Sequence, residues 1–145
     1  MRLKILLLMY PEYEVKIFGH SIASGIADLF AVSLVDTNIV PSHKIALYSF
    51  GAPRTGNIKF ARTFDNLVPN SFRIINGYDP IVRLPPRNPI RFYHHRTEVW
   101  YNNGMGPEAA YETSTIAENR LLSSDEIKSH LNDHYNYFGF DIFDC

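Results

Sequence analysis

An apolar run, VKIF at 15–18, is followed after only Gly19, His20 and Ser21 by fourteen residues, 22–35, with helical periodicity. A buried strand that enters a helix through so short a turn must send the helix back across its own sheet, which is the building step of an α/β fold. On the helix, Ile22, Ile26, Leu29, Phe30 and Leu34 share one broad face, broken only by Ser33, and this face is expected to be the core face. Gly25 lowers helicity, so its turn is expected to pack closely against a neighbour.

The remaining chain sustains the alternation. Residues 3–9 read as the last turns of a helix ending before Pro11. KIALYSF (44–50) and SFRII (71–75) read as strands, with GAPRTGN as turn chemistry and a short helix over 58–64 between them. NGYDPIVRLPPRNP (76–89) holds four prolines between 80 and 89 and must be a stiff ordered loop, because proline lacks the donor that helices and central strands need. RFYHHRTEVWY (91–101) is strand-like in its aromatic and β-branched content. Residues 102–124 are polar and irregular, and a helix is expected from Ser124, with Asp125 and Glu126 near its positive end. One domain spanning 1–145 is expected.

Composition excludes several classes. With 46% hydrophobic and 20% charged residues the chain can bury a core and is not disordered in type. A net charge of −1 with scattered basic residues offers no footprint for nucleic acid. No apolar run reaches the length of a membrane span. The opening MRLKILLLMYPEYEV has a basic start, but its apolar stretch is short, Pro11 cuts it and no small-residue cleavage site follows, so it does not read as a signal peptide. A lone cysteine, Cys145, rules out an internal disulfide.

The short turn also raises a chemical possibility. Serine is a poor nucleophile until a base takes its proton, and the base works best when a carboxylate orients it. On a strand–turn–helix elbow the Ser21 hydroxyl would stand above the sheet edge, and the N–H of Ile22 would face a developing oxyanion. Small residues two before and two after the serine, Gly19 and Ala23, would let the helix approach the strand; the usual pattern has glycine at the second. The alternative is a serine that merely begins a helix. Asp79 precedes Pro80, as turn aspartates often do. His134, His130, His94 and His95 all compete for the base role, the last two in a run where structural hydrogen bonding is the simpler use. His20 is expected to point away from the serine and buttress the turn. His94 and His95 are adjacent without an H-E-x-x-H pattern or a cysteine pair, so a metal site is not indicated, and no cofactor motif is present.

Five blocks in order, YPEYEVKIFGHSIASGIADLFA (10–31), YSFGAPRTGN (48–57), NGYDPIVRLPP (76–86), HHRTEVWYNN (94–103) and DHYNYFG (133–139), together resemble the class 3 lipases, the family of fungal triacylglycerol lipases and their animal and plant relatives. The resemblance implies an α/β-hydrolase fold and hydrolysis of acylglycerol esters through an acyl-serine, without metal or cofactor. It assigns Ser21 as nucleophile, Asp79 as triad acid, His134 as base and the Ile22 amide as oxyanion donor. The order Ser, Asp, His is the one elbow-based hydrolases use. Transient contact with a lipid interface is implied as well.

The departures are informative. Family members extend further on the N-terminal side, where early strands, the lid and a second oxyanion donor lie, so the chain is expected to be an N-terminally truncated version of the fold with exposed sheet edges. Where the family has S-L-G-G-A, this chain has S-I-A-S-G. Cys145 resembles the family's terminal cysteine, whose usual partner would lie upstream, and 105–124 lacks cysteines that some animal relatives carry. The family is often secreted, so an extracellular location is expected if an upstream segment carries the signal. The rival expectation is a truncated, non-catalytic remnant that binds lipid or a protein partner.

Overall fold

A computed structural model describes residues 2–89, 91–123 and 128–141. Helix α1 (Arg2–Met9) precedes strand β1 (Val15–His20), and helix α2 (Ile22–Asp36) follows after the single residue Ser21. Strand β2 (Ile45–Phe50), the short β3 (Gly56–Asn57), helix α3 (Ile58–Leu67) and strand β4 (Ser71–Asn76) come next. They are followed by β5 (Phe92–Tyr93), β6 (Glu98–Tyr101), β7 (Glu112–Ser114), the short helix α4 (Leu131–Tyr135) and the hairpin strands β8 (Asn136–Tyr137) and β9 (Phe140–Asp141).

The central sheet has the order β1-β2-β4-β6-β7, parallel throughout except for the antiparallel β7. Such strands need crossovers, which α2 supplies between β1 and β2 and α3 between β2 and β4. The α3 start has a local cause: the Asn57 carboxamide oxygen accepts from the N–H groups of Lys59 and Phe60, each at 3.0 Å. Ile17, Ile45 and Leu47 from the sheet, Ala27, Ala31 and Leu34 from α2, and Phe64 from α3 form one buried cluster. Truncating a side chain in such a cluster costs about 2–5 kcal/mol. The β4–β6 step is fastened by a buried ion pair, Arg73 Nη2 to Glu98 Oε2 at 3.0 Å, and Glu98 Oε1 also accepts from the Ser123 hydroxyl at 2.7 Å.

The structure corrects the expected core face of α2. Leu34 is 1% exposed, but Ile22, Ile26 and Leu29 are 77%, 65% and 56% exposed, and Phe30 also lies outside. The residues α2 buries are Ser24, Ala27, Asp28, Ala31 and Leu34, spaced three and four apart. Small side chains face the sheet because the helix lies very close to β1: a Cβ built on Gly19 would sit 2.7 Å from the Ser24 Cα. Only glycine fits there. Gly25 meets Thr55 at ordinary van der Waals distance, the nearest atom 3.6 Å from a built Cβ. Ala23 is exposed, so its methyl group meets no obstruction.

Residues 91–101 are likewise not one strand. β5 pairs antiparallel with β3, whereas β6 pairs parallel with β4, and residues 94–97 break the run between two different sheets. The irregular stretch 102–124 contributes β7 as an antiparallel edge. The helix start expected at Ser124 and Cys145 itself lie outside the described residues; residues 128–130 are not helical. At the opposite edge Phe18 is 62% exposed and stacks on Tyr48, which stacks on Phe72, an aromatic ladder across β1, β2 and β4. Among the described residues no helix is long and apolar enough to cross a membrane.

Candidate active site

Ser21 is the sole residue between β1 and α2 and has φ 56° and ψ −133°. A positive φ on a non-glycine residue costs about 1–2 kcal/mol, and the surroundings must hold it there. Its amide donates to Phe50 O at 2.9 Å, which ties the turn to the end of β2. The Ile22 N–H is the first of α2 and belongs to the set of helix-start donors without an intrahelical acceptor.

His134 meets Ser21, and Asp79 meets His134, each from a separate element. Asp79 lies in the loop after β4, is 1% exposed, and accepts the Ile81 N–H on Oδ1 at 2.8 Å. Pro80 then directs the chain into a short 3-10 turn, Ile81–Arg83. His134 sits on α4, which Asn76 holds to the end of β4: its Nδ2 donates to Asp133 O at 3.2 Å and Asn136 O at 2.6 Å. The Asp133 carboxylate accepts the Tyr78 N–H at 2.7 Å. So held, His134 Nδ1–H donates to Asp79 Oδ2 at 2.9 Å, and its Nε2 lies 2.9 Å from the Ser21 hydroxyl oxygen. The tautomer follows from the partners, since a carboxylate can only accept and Nε2 is then left to accept from the hydroxyl.

The other histidines lie elsewhere. His130, one turn earlier, has a side chain 60% exposed and 3.7 Å from Asp133. His94 is buried with Nε2–H donating to Val82 O at 2.7 Å. Burial, then the charges of Arg73 and Arg54, hold its pKa well below 6.5. His95 is buried against Phe64, ring centroids 3.9 Å apart, with Nδ1–H donating to Arg96 O. His20 does more than buttress the turn: its Nε2–H donates to the backbone carbonyl of His134 at 2.9 Å.

Two residues of the site carried no sequence assignment. The Tyr137 hydroxyl donates to Asp79 Oδ2 at 2.8 Å and is reached by the Asn76 N–H at 3.3 Å. Burial, then the Asp79 charge, push its pKa well above 10, so it remains a donor. Gly51, at φ +55°, lies beneath the Asp79–His134 bond; a Cβ there would stand 2.7 Å from Asp79 Oδ2 and 3.0 Å from His134 Nδ1. The available signals were the tyrosine three residues after His134 and the glycine that ends YSFG, both inside blocks already singled out.

A cleft of about 590 Å³ opens at Ser21, lined by the exposed apolar face of α2, Ile22, Ile26 and Leu29, and opposite it by Ile81 and Leu84. The Leu84 wall is fixed by Arg54, whose N–H donates to Leu84 O at 2.7 Å and whose guanidinium binds the carbonyls of Arg83 and Pro85. That guanidinium also forms a buried bidentate pair with Glu118, at 2.7 and 2.8 Å. Among the described residues no group of three His, Cys, Asp or Glu side chains is arranged to hold a metal ion.

A mostly parallel sheet with crossover helices and a serine on the strand–helix turn define the α/β-hydrolase fold, as do the similar solved structures. Residues 1–88 match the family described as Lipase (class 3), and the chain belongs to that family. A Caenorhabditis elegans lipase is 33% identical over 92% of this chain and 46% of its own length. A secreted mono- and diacylglycerol lipase of Fusarium solani is 30% identical over 88% of this chain and 38% of its own. The structure of the Rhizomucor miehei triacylglyceride lipase superposes with a TM-score of 0.88 at 26% identity, covering 97% of this chain and 53% of that one. The chain thus spans about half the length of such relatives or less.

Proposed function

We propose that this chain carries the catalytic centre of a carboxylic ester hydrolase acting on acylglycerols, with Ser21 as nucleophile, His134 as general base and acid, Asp79 as its orienting acid and the Ile22 amide as oxyanion donor. The observation that carries the reading is the continuous chain of 2.9 Å contacts from Ser21 Oγ through His134 to Asp79. The family and the names of its lipase members support the substrate class.

In this reading Ser21 Oγ attacks the ester carbonyl carbon while its proton passes to His134 Nε2. The negative oxygen that forms accepts the Ile22 N–H, and one such donor is worth about 10²–10³ in rate. Collapse expels the glyceride alcohol, which takes the proton from Nε2 and leaves an acyl-Ser21. Water then attacks the acyl carbon, gives its proton to Nε2, and the carboxylic acid departs as Ser21 regains a proton. Asp79 keeps the imidazole in the Nδ1–H tautomer and offsets the charge of the imidazolium.

The acyl chain lies along Ile22, Ile26 and Leu29, and the apolar rim makes transient contact with a lipid surface. The test is hydrolysis of p-nitrophenyl butyrate by the wild type and by Ser21→Ala, together with covalent labelling by a p-nitrophenyl alkylphosphonate. Activity and labelling that both vanish in Ser21→Ala support the reading; equal rates remove it.

A further inference from the structure

We infer that His20 is a positioning residue for the general base, setting the distance between Ser21 and His134 through the backbone of the helix that carries His134; this rests on the reading of Ser21 and His134 given above. Consecutive residues of one turn grip the same histidine at two points. Ser21 meets the ring at Nε2, and His20 meets the main chain, Nε2–H to His134 O at 2.9 Å. The rings of His20 and His134 also lie against each other, centroids 4.8 Å apart and tilted by 32°, and Tyr137 meets His20 edge-on at 5.4 Å.

The geometry solves a specific problem. Helix α4 has only five residues, and 113 residues separate His134 from Ser21 along the chain. Asn76 holds α4 to β4 through the carbonyls of Asp133 and Asn136, on the side of the acid. The His134 carbonyl, one of the two between them, is taken by His20, on the side of the nucleophile. Because His20 and Ser21 are joined by one peptide unit, a shift of β1 or α2 carries nucleophile and base together.

The protonation state of His20 fits this use. A carbonyl can only accept, so Nε2 carries a proton. Burial holds the His20 pKa below 6.5, so at neutral pH the ring is uncharged and does not oppose the imidazolium forming on His134. The groups facing it are His134 from α4, Tyr137 from β8 and, beyond them, Asp79.

The test compares wild type, Ser21→Ala, His20→Phe and His20→Gln for kcat and KM on p-nitrophenyl butyrate and for the rate of phosphonate labelling. Phe keeps an aromatic face without a donor, whereas Gln keeps a donor near the Nε2 position without a titrating ring. Misplacement of a base by a fraction of an ångström costs on the order of tenfold or more, so His20→Phe should lose at least about that factor in kcat and labelling with KM little changed. His20→Gln should recover most of the loss. A Phe variant as fast as wild type overturns the inference, and so does a Gln variant no faster than Phe. If the Phe variant does not fold, a Gln variant close to wild type supports the inference and one as inactive as Ser21→Ala overturns it. Equal rates for wild type and Ser21→Ala remove the proposed function itself, and this inference with it.

Discussion

The Tyr137 hydroxyl and the His134 Nδ1–H converge on a single oxygen, Oδ2 of Asp79, at 2.8 and 2.9 Å. A carboxylate with two donors on one oxygen is fixed in rotation as well as position. Tyr137→Phe removes one donor and leaves the Asn76 N–H without its acceptor. A hydrogen bond to a charged group contributes about 1.5–3 kcal/mol, so kcat/KM should fall by roughly ten- to a hundredfold. Steady-state kinetics alongside thermal denaturation will separate this from a general loss of stability.

Gly51 offers a sharper test of the same bond. Alanine there would push a methyl group against Asp79 Oδ2, His134 Nδ1 and the Tyr137 hydroxyl. It must also hold φ +55°, which costs about 1–2 kcal/mol. The expected outcome is a folded protein by circular dichroism whose activity is reduced at least about a hundredfold. Wild-type activity in Gly51→Ala would show that the Asp79–His134 contact is not needed.

Acid stability should decline in two stages. His94 is held neutral in the fold well below 6.5, so below that pH the unfolded chain binds the extra proton, and stability drops as pH falls. Glu118 behaves in the same direction at lower pH: burial alone would raise its pKa, but the hydrogen bonds and charge of Arg54 outweigh it and hold the carboxyl below 4.5. Its contribution is present above 4.5 and is lost as pH falls through its folded value. Urea unfolding across pH should show both slopes, with the first flattened in His94→Gln.

The Arg54–Glu118 pair is fully enclosed, with both side chains nearly inaccessible. Removing one partner of such a pair costs about 3–5 kcal/mol, because the other charge stays buried without compensation. Glu118→Gln is therefore expected to destabilise the chain by that order. It should also loosen the loop through Leu84 that walls the cleft, raising KM for longer acyl esters. Chemical denaturation and a chain-length series measure the two effects.

The exposed face of α2 predicts a selective defect. Ile26→Asp leaves the core untouched, so stability should change by no more than about 0.5 kcal/mol. With the acyl chain along α2 as proposed, hydrolysis of an octanoate ester should suffer far more than that of an acetate ester. Equal losses on both esters would take this face out of the acyl site.

The residues immediately around Ser21 were enough to place it between a strand and a helix. An apolar run, a glycine that alone fits against Ser24 and a periodic segment are local properties, and they lie within about twenty residues of one another. The stiffness of 76–89 was equally legible, since proline restricts the chain wherever it stands. Periodicity misjudged α2, because it reports where apolar side chains lie on the helix and not what stands opposite. Close packing on β1 admitted the small face, and Ile22, Ile26 and Leu29 line the cleft instead. Among the histidines, the residues read one by one left four candidates open, and the resemblance alone pointed to His134. His130 and His134 are one turn apart in one short segment, and the Asn76 contacts to Asp133 O and Asn136 O, the Tyr78 N–H on the Asp133 carboxylate and His20 on the His134 carbonyl hold His134 toward Asp79 and Ser21. Gly51, Tyr137 and His20 act through partners more than twenty residues away, so their places in the blocks mark the residues but not the contacts they make.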